Sequence, residues 1–272
     1  MLLKIGSKFR NSGQPIYQIY SSLIILCNPA IVLKILIVII EKMGNRILQI
    51  LNLLSLGLVI SIFFIFRGYG WPFGKEGIEA FGAFLIYLFI TIFHIIYFRK
   101  KHSTNILQEK SVRIGLLIGI LWTTEICINN IIMPTLPARD ILDNIFWAVI
   151  ALIILLTVTI YVYRYEKIAT GITNGLWTGL ASGSVASMTA LIFIVFGMKN
   201  LVSDPLNISE WSAISITTNT PNINVYFAYQ TLAGAILHLI VLGIIMGIIL
   251  GFVGGIIGRN IKRLIKFREC SQ

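Results

Sequence analysis

Six stretches of this chain, roughly 47–66, 80–98, 114–133, 143–163, 171–197 and 228–258, are almost unbroken apolar sequence. A hydrocarbon core ~30 Å thick is crossed by ~20 helical residues, so runs of this length read as membrane spans. Charged residues are 12% of the 272, about half the ~25% usual in soluble domains. Hydrophobic residues make up 57%, and the mean hydropathy is +0.87. The expected fold is an all-α integral membrane bundle of six transmembrane helices, with residues 47–258 as the membrane domain. A basic tail, 259–272, follows it.

The net charge of +11 would suggest nucleic acid in a soluble protein. Here the basic residues sit in short loops, where they orient the chain and meet anionic headgroups. The expected partner is therefore the lipid bilayer, with other membrane subunits or further copies of the chain as possible additions, and no nucleic acid. With six spans and a cytosolic N-terminus, 18 of the 22 lysines and arginines fall on the inner side. Only Arg67, Lys75, Arg139 and Lys199 fall outside. That asymmetry places both termini in the cytosol. Residues 1–46 form a cytosolic or interfacial segment. Within it, 16–41 is apolar but interrupted by Asn28-Pro29 and Lys34. It reads either as a hairpin dipping into the inner leaflet or as a seventh span. Asp204-Pro205 has the form of an N-cap followed by a first-turn proline, which predicts a short helix over 205–214.

Small residues recur every fourth position in the last two spans. Gly171, Gly175, Gly179 and Gly183 form one ladder; Gly243, Gly247, Gly251 and Gly255 form the other. A step of four places each ladder on one helix face. In a bilayer such a face lets two backbones approach closely and hold by van der Waals contact, so spans five and six should touch along most of their length and form the tight core. Spans three and five also begin alike, Gly115 to Gly119 followed by Trp122-Thr123 and Gly171 to Gly175 followed by Trp177-Thr178. A repeat of two-span hairpins and coincidence both account for this.

Few residues here can carry chemistry. Glu125 is the acidic residue in the middle of a span, and counting from Arg113 puts it close to the midplane. A carboxylate there costs roughly 3 kcal/mol, which the ten leucines and isoleucines between Ile114 and Ile132 offset at roughly 0.3–0.6 kcal/mol each. Glu125 should then face protein or a wet cavity. Asn129 shares its face and Asn130 lies beside it. One reading is a solute, ion or proton site; the other is a neutral acid hydrogen-bonded between helices. Ser182, Ser184 and Ser187, counted from Gly171, come out at a similar depth and could complete a polar layer. They could equally bond to their own helix backbone. Ser182 and His238 invite comparison with the serine–histidine dyad of rhomboid-type intramembrane proteases. Leu180 stands where that motif has glycine, and counting from Gly171 and Arg259 separates the pair by more than about 10 Å in depth. No phosphate-binding loop, HExxH or CxxC is present, so neither a metal nor a cofactor is expected. Cys27, Cys127 and Cys270 are too scattered for a disulfide framework.

Glu125 with Asn129-Asn130, then Pro137-Ala138-Arg139-Asp140, Asp143 to Trp147, and the Gly251 to Gly258 run resemble a group of uncharacterised bacterial multi-pass membrane proteins. The likeness covers about Gly115 to Gly258 and implies a bacterial plasma-membrane location, without an activity. The first 45 residues resemble the cytosolic leader of some bacterial permease-like proteins, in which a charged helix follows the proline; here Ile31 to Ile40 is mostly apolar. The expected function is a small-solute or ion permease, or its membrane subunit, with Glu125 lining the site. The alternative is a non-catalytic scaffold that packs through its glycine faces.

Overall fold

The computed structural model describes residues 29–68, 75–100, 106–215 and 222–270. The chain divides into two units, one ending at Met43 and one beginning at Gly44. Helix α1 runs Pro29–Gly68, and its backbone leaves helical values at Met43 (φ −130°, ψ 15°). Proline suits a first helical position, because the N–H it lacks would have no partner there. Of the stretch 16–41, residues 16–28 lie outside the described residues and 29–41 are helical.

Helix α2 is Lys75–Lys100, and α3 is Ile106–Cys127, passing directly into a π-helical segment, Ile128–Ile132. Helix α4 is Ala138–Tyr165 and α5 is Ile168–Phe196. Two short helices follow, α6 (Met198–Ser203) and α7 (Pro205–Ile214). Asp204 caps α7 as expected, its side chain accepting from the Leu206 N–H. The chain ends in α8 (Ile223–Leu237), a second π segment (His238–Ile245) and α9 (Met246–Cys270), which join end to end. Among the described residues, five stretches are long and apolar enough to cross a membrane: Met43–Arg67, Gln108–Ile132, Ala138–Tyr165, Ile168–Phe196 and Ile223–Glu269. The remaining predicted span, 80–98, falls within α2, whose apolar stretch among the described residues is Phe81–Phe93. The protein is an all-α, multi-pass membrane bundle.

Helix α5 is its centre. The apolar window of α5 is 72% buried, that of α4 only 22%. The buried stripe of α4, Ile150, Ile154, Val158 and Val162, repeats every fourth residue. The opposite side shows Ile145, Leu152, Leu156 and Ile160 outward. A helix apolar on both faces, with one face exposed, is solvated by lipid.

The glycines set the spacing of the core. A Cβ on Gly171 would stand 2.7 Å from the Gly251 carbonyl oxygen, and one on Gly183 would stand 2.7 Å from the His238 carbonyl oxygen. Between them, Gly175 meets the Gly247 carbonyl and Gly179 meets the Gly243 carbonyl. The numbers rise on one side and fall on the other, so the two ladders pack antiparallel along four turns. Gly254 and Gly258 turn a second face of α9 toward α4, against Leu155 and Thr159. On α3, Gly115 abuts Thr178 and Ala181, Gly119 abuts Val185, and Thr123 hydrogen-bonds Thr189 at 2.9 Å. Both series rise together, so α3 and α5 run in the same direction.

Candidate functional site

Helix α3 begins at Ile106, seven residues before Arg113. The midpoint of Gln108–Ile132 is therefore Ile120, and Glu125 lies roughly 7.5 Å beyond it, toward the 133–137 turn. The polar group is thus displaced from the midplane expected from Arg113. Glu125 is 5% exposed and Asn129 is 7% exposed. Their one-turn separation lets the Asn129 amide donate to both neighbours, Asp143 Oδ1 at 2.8 Å and Glu125 Oε1 at 3.4 Å. Asp143 comes from the first turns of α4, so one amide holds a carboxyl group from each helix. Two acceptors in this cluster, Glu125 Oε2 and Asn129 Oδ1, are buried without a hydrogen-bond partner among the described residues.

One π segment carries part of this cluster, and the other reaches Trp122, one turn before Glu125. The first, Ile128–Ile132, carries Asn129 and ends at Met133, whose φ of 54° lets its N–H bond back to Ile128. The second begins at His238, whose ring meets Trp122 edge to face at 5.1 Å. Trp122 makes a similar contact with Trp147 at 5.9 Å. π segments widen a helix locally and are frequent at functional sites. One turn from Asp143, Arg139 pairs with Asp204 at 2.8 Å; Asp204 is 2% exposed. That pair ties the start of α4 to the start of α7 above the Glu125 cluster.

The other predicted site residues are distributed differently. Asn130 donates to the Ile126 carbonyl of its own helix and does not join the cluster. Ser182 donates to the Gly179 carbonyl. It sits seven residues, about 10 Å, from Thr189, which is the residue level with Thr123. A polar layer of Ser182 with Glu125 is therefore not formed, and the alternative reading, a bond to its own helix backbone, is the one Ser182 makes. Arg113 is no equivalent of Gly171, because Gly115 already stands against Thr178. The expected separation of Ser182 from His238 is likewise corrected, since Gly183 abuts the His238 backbone. Arg259 lies a turn beyond Gly255, which is the residue level with Ile168, and the π segment from His238 to Ile245 takes up residues without the usual rise. The dyad is still not made. Ser182 is bonded to Gly179, and His238 Nδ1 donates to the Gly234 carbonyl at 2.8 Å.

No protein-family model, curated protein or solved structure matches this chain. Among the described residues no three histidine, cysteine or carboxylate side chains gather where they could hold a metal ion. Asp143, Arg139, Asp204 and Trp147 belong to the site, and the sequence marked them only as a helix cap or as part of a resemblance, not as site residues. They lie near span ends, where charged and aromatic side chains are ordinary.

Proposed function

We propose that the chain is a permease, or the membrane subunit of one, that handles a proton or small monovalent cation at Glu125, Asn129 and Asp143. One observation carries this reading: a buried carboxyl group, Glu125, a half-buried one, Asp143, and the Asn129 amide oxygen gather between two helices, and the Asn129 amide donates to both carboxyl groups. An acceptor-rich site inside an apolar bundle is complementary to a positive species. The π segments, the Trp122–His238 contact and the Arg139–Asp204 pair around it are consistent with a site built for more than packing. We place it in a bacterial plasma membrane with the basic tail in the cytosol, following the charge asymmetry and the family resemblance. No catalytic activity is proposed.

The test is flux in proteoliposomes, read with an internal pH-sensitive dye and with radioactive sodium. Glu125→Gln should abolish the flux and leave membrane insertion intact; undiminished flux in that variant ends the reading. Single cysteines at 125 and 129, in a background without Cys27, Cys127 and Cys270, should be labelled by a small membrane-impermeant thiol reagent from one side. The scaffold alternative would need a free face for its partner. The two ladders are turned on each other within one chain, so it would have to use another surface.

A further inference from the structure

A second polar cluster lies where α1 meets α5 and α2, and it shares no residue with the Glu125 group. Its first layer is joined by Asn52. The Ser184 hydroxyl of α5 lies 3.4 Å from Asn52 Oδ1, and Thr91 of α2 donates to the Asn52 carbonyl at 3.3 Å. Helix α1 runs parallel to α3 and α5, since Gly44 lies beside Arg113 and Asn52 beside Ser184. Helix α2 runs the other way, since Thr91 meets Asn52 while Phe84 meets Phe63. One turn further along the bundle, on the same three faces, stand Ser55, Ser187 and Tyr87, at offsets of +3, +3 and −4. They are 1%, 0% and 1% exposed. None of the three hydroxyl oxygens has a hydrogen-bond partner among the described residues. Helical serines usually bond to a carbonyl one turn back, as Ser61 and Ser184 do here. Ser55 and Ser187 do not.

We propose that Ser55, Tyr87 and Ser187 form a binding site for a small neutral hydrogen-bonding molecule, and that this molecule is water. A hydroxyl both donates and accepts, so three of them suit a ligand that does the same. The layer and its Asn52 neighbour carry no formal charge, so an ion would be poorly compensated there. None of the three oxygens has a partner among the described residues, and a molecule that both donates and accepts would satisfy them. A buried water needs two to four polar partners, and three helices supply three.

Hydroxyl-radical footprinting of the full chain in lipid nanodiscs tests this, with water itself as the probe. Radicals arise from water at the residue, so Tyr87 should be oxidised despite its burial. Tyr165, which is 50% exposed, is the internal control. Ser55→Ala with Ser187→Ala should bring a loss of most of the Tyr87 signal and leave the Tyr165 rate unchanged. An unmodified Tyr87 in the wild-type chain, where Tyr165 reacts, overturns the proposal without any variant. So does an undiminished Tyr87 signal in the double variant. Neither result bears on flux through Glu125.

Discussion

Arg139 and Asp204 pair across two connections, and the two partners are unequally protected. Asp204 is 2% exposed while the Arg139 side chain keeps 21% of its surface. Removing Arg139 strands a buried carboxylate, which typically costs roughly 3–5 kcal/mol. Asp204→Asn keeps an acceptor for the Leu206 N–H and leaves a guanidinium that water can reach. Arg139→Ala should therefore lower the unfolding midpoint in detergent more than Asp204→Asn; the reverse order would mean that the cap outweighs the pair. Glu166 behaves differently because it is on the surface. Hydrogen bonds from Lys262 and Lys266, then their charges, hold its carboxyl at about 2. A carboxyl lowered in the folded state adds stability above its unfolded value, ~4.3. That contribution fades as pH falls from there toward 2. A spin-label distance between the α4–α5 connection and α9 should broaden over that window, and Glu166→Gln should broaden it at neutral pH. High salt should weaken the tether. At this scale Glu125 and Asn129 were legible because polar groups in an apolar run are costly and so conspicuous. Asp143 was not, because its partner lies fourteen residues away on another helix.

The glycine ladders were legible as a period of four in the sequence, and so was the contact of spans five and six along most of their length. The period did not show the second small face of α9. The same helix carries Gly254 and Gly258 against α4, outside the ladder's register. The π segments left no trace in composition either, and they upset any depth counted at a uniform rise. The structure separates glycines that set helix spacing from those that do not. A Cβ on Gly179 would enter the Gly243 carbonyl and reach 3.0 Å from the Gly247 Cα, while around Gly57 and Gly82 nothing stands within 4 Å. Gly179→Ala should destabilise the bundle by roughly 1–3 kcal/mol, the usual cost of overpacking, and Gly179→Leu should prevent α5 from seating on α8–α9. Gly57→Ala should be neutral or mildly stabilising, because alanine is the better helix former. Unfolding titrations of the three variants check this, and equal effects at Gly57 and Gly179 would show that backbone contact does not govern the spacing.

For the whole molecule, apolar run length was enough to specify a multi-pass helical bundle, because the bilayer leaves few other solutions for such runs. It could not say which helix is central. That follows from packing: α5 is enclosed by α3, by α4 and by the α8–α9 rod, and its small residues are what permit it. Charge and packing together fix sidedness in two independent steps. The antiparallel ladder and the parallel α3–α5 pair set which helix ends lie together, whatever the membrane. The 133–137 turn and α7 are on one side, joined by Arg139 and Asp204. The far end of α9 is on the other, with Lys262 and Lys266 on Glu166. The distribution of lysine and arginine then predicts that the second side faces the cytosol. Single cysteines at Thr135, Ser212 and Asn260, all exposed positions, separate the two steps. Impermeant reagent outside intact cells should label Thr135→Cys and Ser212→Cys, and Asn260→Cys should react only after the membrane is opened. If Asn260→Cys instead shares a side with Thr135→Cys, the packing is wrong. If the two groups are merely exchanged, the packing stands and the basic tail faces outward, against the charge rule.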